Sequence, residues 1–343
     1  MVSDMKIVFG AMSFGREGLP TSRITSLDGA GQILDLFASR GYTDIDSARI
    51  YGGGSSEEML GELDWQKRGL VMQTKLYPVG STAMAAAAPS LGMPIYTHHS
   101  GEIRRGLLDS LKALKADKID LFDLHGPDRT VDFTVTLQEV NELYKEGYFT
   151  RFGISNYAAW EVAQIWETCD RNGWIKPTVY QGVYNAITRG IELELVPCLR
   201  KYGISLYVFN PLAGGLLSGK YKRDTAEFEP GSRFDDKNGV AGKFARMRYW
   251  NDGSFDAMDR ITPAAQAAGL TEAECVLRWL VHHSALSKDA GDAVILGASN
   301  LKHLASNLDD VEKGPLPEAV VKAINEGWAA AQAQGGGLFK YFH

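Results

Sequence analysis

The stretch GYTDIDSARIYGGGSSEEMLGEL, residues 41–63, has the pattern of a strand, a loop and a helix in succession. A short buried strand is predicted at 44–47, and the SSEE segment after the three glycines caps the start of a helix. Asp46 then lies at the carboxyl end of a strand, with Tyr51 in the loop beyond it. Because a lone buried carboxylate is costly, we expect a cation beside this pair, and Lys75 on the next strand is the candidate.

Short apolar runs alternate with amphipathic stretches along the whole chain, which is typical of βαβ units in a parallel sheet. Strands are predicted at 7–9, 44–46, 70–75, 119–125, 148–155, 179–181, 204–209 and 293–297. Helices are predicted at 28–40, 55–63, 101–116, 132–146, 158–172, 192–201, as a pair near 254–283, and at 300–311. Eight such units predict an α/β fold, a closed (β/α)8 TIM barrel forming a single domain over 1–343.

Three segments lie outside this alternation. Residues 78–100 and 211–253 are predicted to be long loops, and the tail from Pro315 is predicted to be helical to about residue 333. Long loops on the face of a barrel that carries the chemistry are usually lids or binding loops. We therefore expect both loops to border the site.

The composition limits the partners. A net charge of −6 and a pI near 5.7 disfavour a nucleic-acid or an anionic membrane surface, so a small molecule is the expected partner. The three cysteines are far apart and indicate neither a disulfide framework nor a zinc site. The amino terminus lacks a targeting pattern and no apolar run is long enough to span a bilayer, so we expect a soluble, unprocessed cytoplasmic protein.

Polar residues mark the ends of six predicted strands. In a barrel the carboxyl ends of the strands converge on one face, where the chemistry is carried out. We therefore expect these side chains to surround one site. They are Asp46, Lys75, His125, Ser155 with Asn156, Gln181 and Asn210.

Several other motifs are better explained without special chemistry. No GxGxxG follows a strand, and the P-loop-like GGLLSGK at 214–220 has Tyr221 where a magnesium-binding hydroxyl should stand. The pairs at 98–99 and 282–283 are adjacent histidines whose side chains point apart, so no metal site is predicted. Trp279 belongs to an apolar helical stripe and is predicted to lie in the core.

The segment 220–248 is locally basic, with eight lysines and arginines against five carboxylates. Charge alone fits a solvated loop equally well. Its position after the seventh strand favours a phosphate site, because barrels of this class commonly bind phosphate with the loops after strands seven and eight.

Taken together, the motifs resemble the aldo-keto reductase superfamily. They are DSARIYG at 46–52, TK at 74–75, DLFDLH at 120–125, GISN at 153–156, YQ at 180–181, NPLAGGLLSGK at 210–220 and LGASN at 296–300. Four further motifs resemble one branch of this superfamily, the aflatoxin-aldehyde reductases. They are SNYAAWEVA at 155–163, PCLR at 197–200, RYW at 248–250 and YF at 341–342.

The resemblance implies an NADPH-dependent reductase of aldehydes and reactive ketones. Tyr51 is implied as the general acid, Lys75 and Asp46 as the pair that tunes it, and His125 as the group that orients the carbonyl. A phenol with a pKa near 10 donates poorly, and a nearby ammonium is expected to lower that pKa by stabilising the phenolate. Two alternatives stay open: an NADPH-binding redox-sensing regulatory subunit, and a dedicated biosynthetic-pathway carbonyl reductase.

The cofactor implied is NADPH/NADP+. Ser155, Asn156 and Gln181 are implied to hold the nicotinamide carboxamide, Phe209 to stack on its ring, and 210–220 to cover the pyrophosphate. Arg233 and Ser299 are implied to meet the adenosine end, where His303 replaces the glutamine typical of relatives. The full implied cofactor set is Ser155, Asn156, Gln181, Phe209, Asn210, Pro211, Leu212, Gly214, Leu216, Lys220, Arg233, Gly297, Ser299, His303 and Asn307.

The substrate is implied to be a small-molecule carbonyl compound, and a homodimer is compatible with the resemblance. Its site is implied to include Met12, Arg248, Trp250, Phe342 and His343. Relatives typically end in an arginine that can grip a carboxylate, whereas this chain ends in a shorter, mostly neutral histidine. We therefore expect neutral, hydrophobic or aromatic carbonyl substrates to be preferred over acidic ones.

Overall fold

Eight parallel strands close into a barrel in the computed structural model, which describes residues 5–19, 21–89, 92–229, 231–235, 239–334 and 341–342. Each strand pairs with the next in the chain, and the eighth pairs with the first. The strands are β1 (Lys6–Gly10), β2 (Asp44–Asp46), β3 (Val71–Leu76), β4 (Ile119–Leu124), β5 (Phe149–Ser155), β6 (Pro177–Val183), β7 (Ser205–Phe209) and β8 (Ala293–Gly297). The predicted TIM barrel is thereby confirmed.

Helices connect successive strands and also follow the eighth strand. They are α1 (Leu27–Ser39), α2 (Ser55–Glu62), α3 (Glu102–Ala113), α4 (Phe133–Lys145), α5 (Ala159–Asn172), α6 (Leu195–Tyr202), α7 (Gly239–Tyr249), α8 (Asp252–Ala267), α9 (Glu272–His282), α10 (Leu301–Val311) and α11 (Glu318–Ala333). Within the part of the chain described, none of them is both long and apolar enough to cross a membrane.

The barrel interior changes character along its axis. Its middle is apolar and is filled by Val8, Leu121, Val179, Tyr207, Ala293 and Ile295 from five strands. Closer to the carboxyl ends of β2, β4 and β6 lie three polar residues. They are Asp46, Asp123 and Gln181, all of them buried. Because side chains alternate across a strand, this places polar groups in the interior toward the carboxyl ends of the strands.

The prediction of a continuous loop over 211–253 is wrong. The segment contains a 3-10 stretch (Ala213–Ser218) and α7, and α8 begins inside it at Asp252. Two glycines in α7, at 239 and 242, weaken the helical pattern in the sequence because glycine is a poor helix former. Tertiary packing overrides that weak propensity, and Tyr249 at the end of α7 is buried.

The prediction for 78–100 holds where the segment is described, since it contains neither an α-helix nor a strand beyond β3. The predicted tail helix is confirmed as α11. It packs closely on α8, and a Cβ at Gly327 would lie 3.2 Å from the Ala257 carbonyl oxygen. The glycines at 335–337 and His343 lie outside the described residues.

Candidate active site

A tight turn presents Tyr51 at the end of β2. Tyr51–Gly54 form a 3-10 turn in which Gly52 and Gly53 have φ of 54° and 60°, a left-handed conformation that side chains disfavour. A Cβ at Gly53 would lie 2.5 Å from the Gly92 carbonyl oxygen, so only glycine fits. Ser55 Oγ donates to the Gly52 carbonyl oxygen at 2.5 Å. The turn is therefore fixed, and it holds the phenol over the strand ends.

Lys75 connects the strands beneath this turn. The side chain is fully buried, and its Nζ donates to Asp46 Oδ1 at 2.6 Å and to the Ser47 carbonyl oxygen at 2.7 Å. The same Nζ lies 5.0 Å from the centre of the Tyr51 ring. From β6, Gln181 Nε2 donates to Asp46 Oδ1 at 2.8 Å. The structure thus brings Asp46, Tyr51 and Lys75 together as predicted.

The pKa of Tyr51 is raised and not lowered as the sequence analysis expected. Burial alone lowers the pKa of Lys75, but the attraction of Asp46, Tyr51 and Asp123 outweighs it and leaves that pKa raised, so the lysine stays charged. Burial raises the pKa of Tyr51, and the lowering by Lys75 does not offset it, so the net shift of the phenol is upward. Lys75 therefore limits the loss of acidity that burial causes.

His125 and Tyr77 form an aromatic wall beside Tyr51. The His125 ring stands edge-on to Tyr51, with ring centres 5.8 Å apart and planes at 84°. Tyr77 stands edge-on to His125 on the other side, at 5.6 Å and 81°. Sequence reasoning missed Tyr77, although its place directly after β3 was the same signal that identified the other residues.

The ends of β5 and β6 carry donors and acceptors suited to an amide ligand. Asn156 has φ of 65°, rare for a residue other than glycine. Its Nδ2 donates to the His125 carbonyl oxygen at 2.9 Å and to Ser155 Oγ at 3.0 Å. Gln181 lies on the neighbouring strand. A carboxamide needs both donors and acceptors, and this mixed set fits the nicotinamide end of the cofactor.

The backbone after β7 fits a phosphate. Asn210, Ala213, Gly214 and Gly215 have φ of 57°, 49°, 69° and 103°, and such left-handed residues turn amide groups toward one side of a loop. Asn185 Nδ2 donates to the Asn210 carbonyl oxygen at 3.0 Å and fixes the start of the segment. Of the other residues implied here, Pro211 and Leu216 are buried, whereas Phe209 and Leu212 are half-buried.

A basic cluster gathers where this loop meets the start of α10. Lys220 pairs with Glu229 at 2.6 Å, and Ser299 Oγ is hydrogen-bonded to His303 Nδ1 at 2.8 Å. Partial burial, followed by Lys220, Lys302 and Arg23, lowers the pKa of His303, while Glu229 opposes them. The neighbouring Asn307 is buried and donates from Nδ2 to the Gly297 carbonyl oxygen at 3.4 Å. Arg23 was not identified from the sequence because it lies in a polar loop that matches no motif.

Arg233, expected at the adenosine end, interacts electrostatically with Tyr51 of the catalytic group and also with Arg23 of the basic cluster. Its guanidinium donates to Met12 Sδ at 3.1 Å. Burial lowers the pKa of Arg233, and the nearby phenols Tyr51 and Tyr249 raise it. Arg233 therefore lies within electrostatic reach of Tyr51, and Met12 contacts Arg233.

The remaining residues implied for the substrate are more dispersed. Trp250 contacts an aromatic cluster formed by Tyr221, Phe228 and Phe234 from the segment after β7 and by Phe255 of α8. Arg248 is half-buried at the end of α7. Phe342 stacks edge-on with Tyr341, whose hydroxyl accepts from the Ala159 amide at 3.1 Å. His343 lies outside the described residues.

Comparison with known proteins agrees with this geometry. The model of the Aldo/keto reductase family matches residues 6–329, so the chain belongs to that family. An aldo-keto reductase of Pseudocercospora fijiensis is 50% identical over 300 residues, covering 88% of this chain and 97% of the relative. The aldo-keto reductase pigE of Monascus ruber is 47% identical over 340 residues, covering 98% and 97%. Aflatoxin B1 aldehyde reductase member 4 of Homo sapiens is 41% identical over 327 residues, covering 94% and 93%.

These similarities confirm the aflatoxin-aldehyde reductase branch that the motifs indicated. The protein is accordingly an oxidoreductase that acts on carbonyl groups, in a family that generally uses NAD(P)H.

Proposed function

We propose that the protein reduces aldehydes and reactive ketones with NADPH, and that Tyr51 gives the proton to the carbonyl oxygen. The observation that carries the proposal is the position of the Lys75 ammonium, 2.6 Å from Asp46 Oδ1 and 5.0 Å from the centre of the Tyr51 ring. When bound, the reduced nicotinamide supplies the hydride. The residues of this chain supply the proton and the geometry.

Tyr51 acts as the proton donor because its charged partner is permanently in place. Negative charge develops on the carbonyl oxygen in the transition state, and donation from Tyr51 leaves a phenolate that the Lys75 ammonium stabilises. Asp46 and the Ser47 carbonyl oxygen hold that ammonium still. His125, edge-on to Tyr51, is placed to orient the carbonyl from the side.

The preference for NADPH rests on the basic cluster beside α10. Ser155, Asn156 and Gln181 hold the carboxamide, and the left-handed backbone over 210–215 receives the pyrophosphate with help from Arg233. Lys220 and Arg23 then lie beside His303 at the far end. Two positive charges near the start of a helix favour a 2′-phosphate, which NADH lacks.

The preferred substrates are neutral aromatic or hydrophobic carbonyl compounds. Tyr51, Tyr77 and His125 form an aromatic wall, and the apolar Met12 side chain contacts Arg233. Arg233 is assigned to the pyrophosphate and is therefore not available to a substrate carboxylate. One relative is named an aflatoxin B1 aldehyde reductase, which agrees with an aldehyde substrate.

The test is Tyr51→Phe, which removes the acidic hydroxyl and keeps the ring. With NADPH and a panel of aldehydes, kcat is expected to fall by about 10² to 10⁴, since proton donation contributes this much in rate. Affinity for NADPH, measured by protein fluorescence quenching, should stay unchanged. The matched control is Tyr202→Phe on α6, whose hydroxyl bonds Glu167 at the surface.

A wild-type protein that binds NADPH tightly, releases it slowly and turns over no aldehyde would overturn the proposal in favour of a regulatory subunit. An equal loss of NADPH binding and turnover in Tyr51→Phe would assign the phenol a structural role.

A further inference from the structure

A second carboxyl group lies in the barrel interior below the catalytic group. Asp123 on β4 is opposite Lys75 on β3 and opposite Gly153 on β5 in the sheet register. The residue is fully buried. Neither of its carboxyl oxygens is hydrogen-bonded to any residue within the described ranges. No step of the proposed reduction uses this carboxyl group.

The barrel makes room for this carboxyl group. A Cβ at Gly153 would lie 1.9 Å from Asp123 Oδ1 and 3.1 Å from the Val179 carbonyl oxygen. Any other residue at 153 would displace the carboxyl group, so the space that glycine leaves is the space that Asp123 fills. Burying a carboxyl group without hydrogen bonds is costly. Shape and packing alone do not account for such a residue, whereas an electrostatic role does.

The charges that act on Asp123 come from three other strands. Lys75 on β3 and Arg151 on β5 are the cations, and Asp46 on β2 is the competing anion. Arg151 is bound by Asp120 at 2.6 Å, while Lys75 donates to Asp46 and the Ser47 carbonyl oxygen. His125 lies directly after β4, two residues beyond Asp123. Asp123 and Asp46 therefore act on the same ammonium.

Burial and the neighbouring charges together raise the pKa of Asp123. Burial, the largest cause, raises its pKa, as does Asp46, while Lys75 and Arg151 lower it, and the result is a pKa of about 7. In return, Asp123 is one of the groups that raise the pKa of Lys75.

We propose that Asp123 is a positioning residue that sets the strength of Tyr51 as an acid by gaining or losing one proton beside Lys75. The proposal rests on Tyr51 being the proton donor. When Asp123 is neutral, the Lys75 ammonium is opposed by Asp46 alone and stabilises the Tyr51 phenolate fully. When Asp123 loses its proton to solvent, a second negative charge partly cancels the ammonium, and Tyr51 becomes a weaker donor.

The reductase is accordingly sensitive to pH near neutrality and not only where tyrosine ordinarily ionises. Its kcat/KM declines as Asp123 ionises, because a weaker acid transfers its proton more slowly. Replacing the carboxyl group with an amide removes this decline and leaves Tyr51 more acidic than in the wild type at the pH values where Asp123 is ionised.

Two measurements without turnover test the coupling in Asp123→Asn. Ultraviolet difference titration, with Tyr51→Phe subtracted in each background, gives the phenol's own pKa, which should be lower in the variant by about one unit. Difference infrared titration of the wild type should show a protonated carboxyl band that disappears near neutral pH and is absent in the variant. Asp310→Asn is the matched control, since Asp310 is also buried with a raised pKa but lies on α10 outside the barrel interior.

The kinetic measurement is the pH profile of kcat/KM with NADPH and a neutral aldehyde. The ratio of Asp123→Asn to wild type should rise severalfold from about pH 6 to about pH 9, while the Asp310→Asn ratio stays level. If Asp123→Asn does not fold, Asp123→Ser takes its place with the same expectation. Identical Tyr51 titrations in variant and wild type overturn the proposal. Absence of reductase activity in the wild type contradicts the proposed function, whereas the spectroscopic result still decides the role of Asp123.

Discussion

Lys75 Nζ lies 2.6 Å from Asp46 Oδ1 inside the barrel, where the two side chains are 0% and 3% exposed. A charge left alone in such a place is far more costly than the loss of a surface pair. The pair is therefore a stability element as well as a part of the proposed chemistry, and the two roles can be separated by mutation.

Lys75→Met is expected to lower the free energy of unfolding by roughly 3 to 5 kcal/mol, because Asp46 is then buried without its cation. The double variant Lys75→Met/Asp46→Leu should recover part of that loss. Urea denaturation at neutral pH measures both. The control is Lys67→Met, which breaks an exposed pair with Asp64 and should cost less than about 1 kcal/mol. A loss in the double variant equal to the sum of both single losses would show that the two side chains are not coupled.

The basic cluster leads to a prediction about cofactor choice. Lys220→Met should weaken NADPH binding by about tenfold or more, since a charge-assisted contact is worth roughly 1.5 to 3 kcal/mol. NADH binding should change little, because NADH has no 2′-phosphate. Titration of each dinucleotide against protein fluorescence gives both constants. Lys222→Met, which changes an exposed lysine two residues away, serves as the control.

An equal loss for both dinucleotides in Lys220→Met would place Lys220 at the pyrophosphate. That outcome would leave Arg23 as the residue to test for contact with the 2′-phosphate.

The identity of residue 343 leads to a prediction about substrates. The wild type should have a higher kcat/KM for 4-nitrobenzaldehyde than for succinic semialdehyde, because His343 is mostly neutral at pH 7 and cannot form a two-pronged pair with a carboxylate. His343→Arg should improve the use of the semialdehyde by about tenfold. Steady-state kinetics on both substrates provide the comparison. A wild type that prefers the acid, or a variant that gains nothing on it, would contradict the expectation.

Asp123 leads to a prediction about stability and pH. Its pKa is about 7 in the folded protein, against about 3.9 in an unfolded chain. Between these values the folded state binds more protons than the unfolded state, so this residue makes the free energy of unfolding fall as pH rises from about 4 to about 7. Measured by urea denaturation, the stability of Asp123→Asn relative to wild type should rise across that window by more than about 1 kcal/mol. A difference that does not change with pH would remove the basis for a raised pKa.

Strand periodicity predicted the fold well because buried parallel strands are short apolar runs between turn residues. β8 begins and ends at the predicted residues, and β2 agrees with the predicted strand to within one residue. α7 was missed because its apolar side chains do not form one stripe. Phe244 and Met247 are 52% and 66% exposed, while Tyr249 is buried. A helix held by contacts of this kind has little amphipathic signal in the sequence.

For the site, the rule that polar residues end the strands brought Asp46, Lys75, His125 and Gln181 together. The rule does not identify Arg233 and Arg23, because both lie in loops and not at the ends of strands. The path of a loop depends on tertiary contacts that a local sequence pattern does not show. Asp123 was visible within DLFDLH, but its role depends on the space left by Gly153 on another strand. Only the sheet register reveals that relationship.

The pairing of β1 with β8 has a consequence for how the chain is made. Lys6 of β1 is in register with Ala293 of β8, which is synthesised about 290 residues later. During translation, the edge of β1 that later bonds β8 has no partner for most of the time the nascent chain is growing. An unpaired strand edge is a template for wrong pairing. The barrel closes only when β8 pairs with the open edge of β1. Slow translation before residue 293 therefore prolongs the period in which the growing chain needs protection from aggregation.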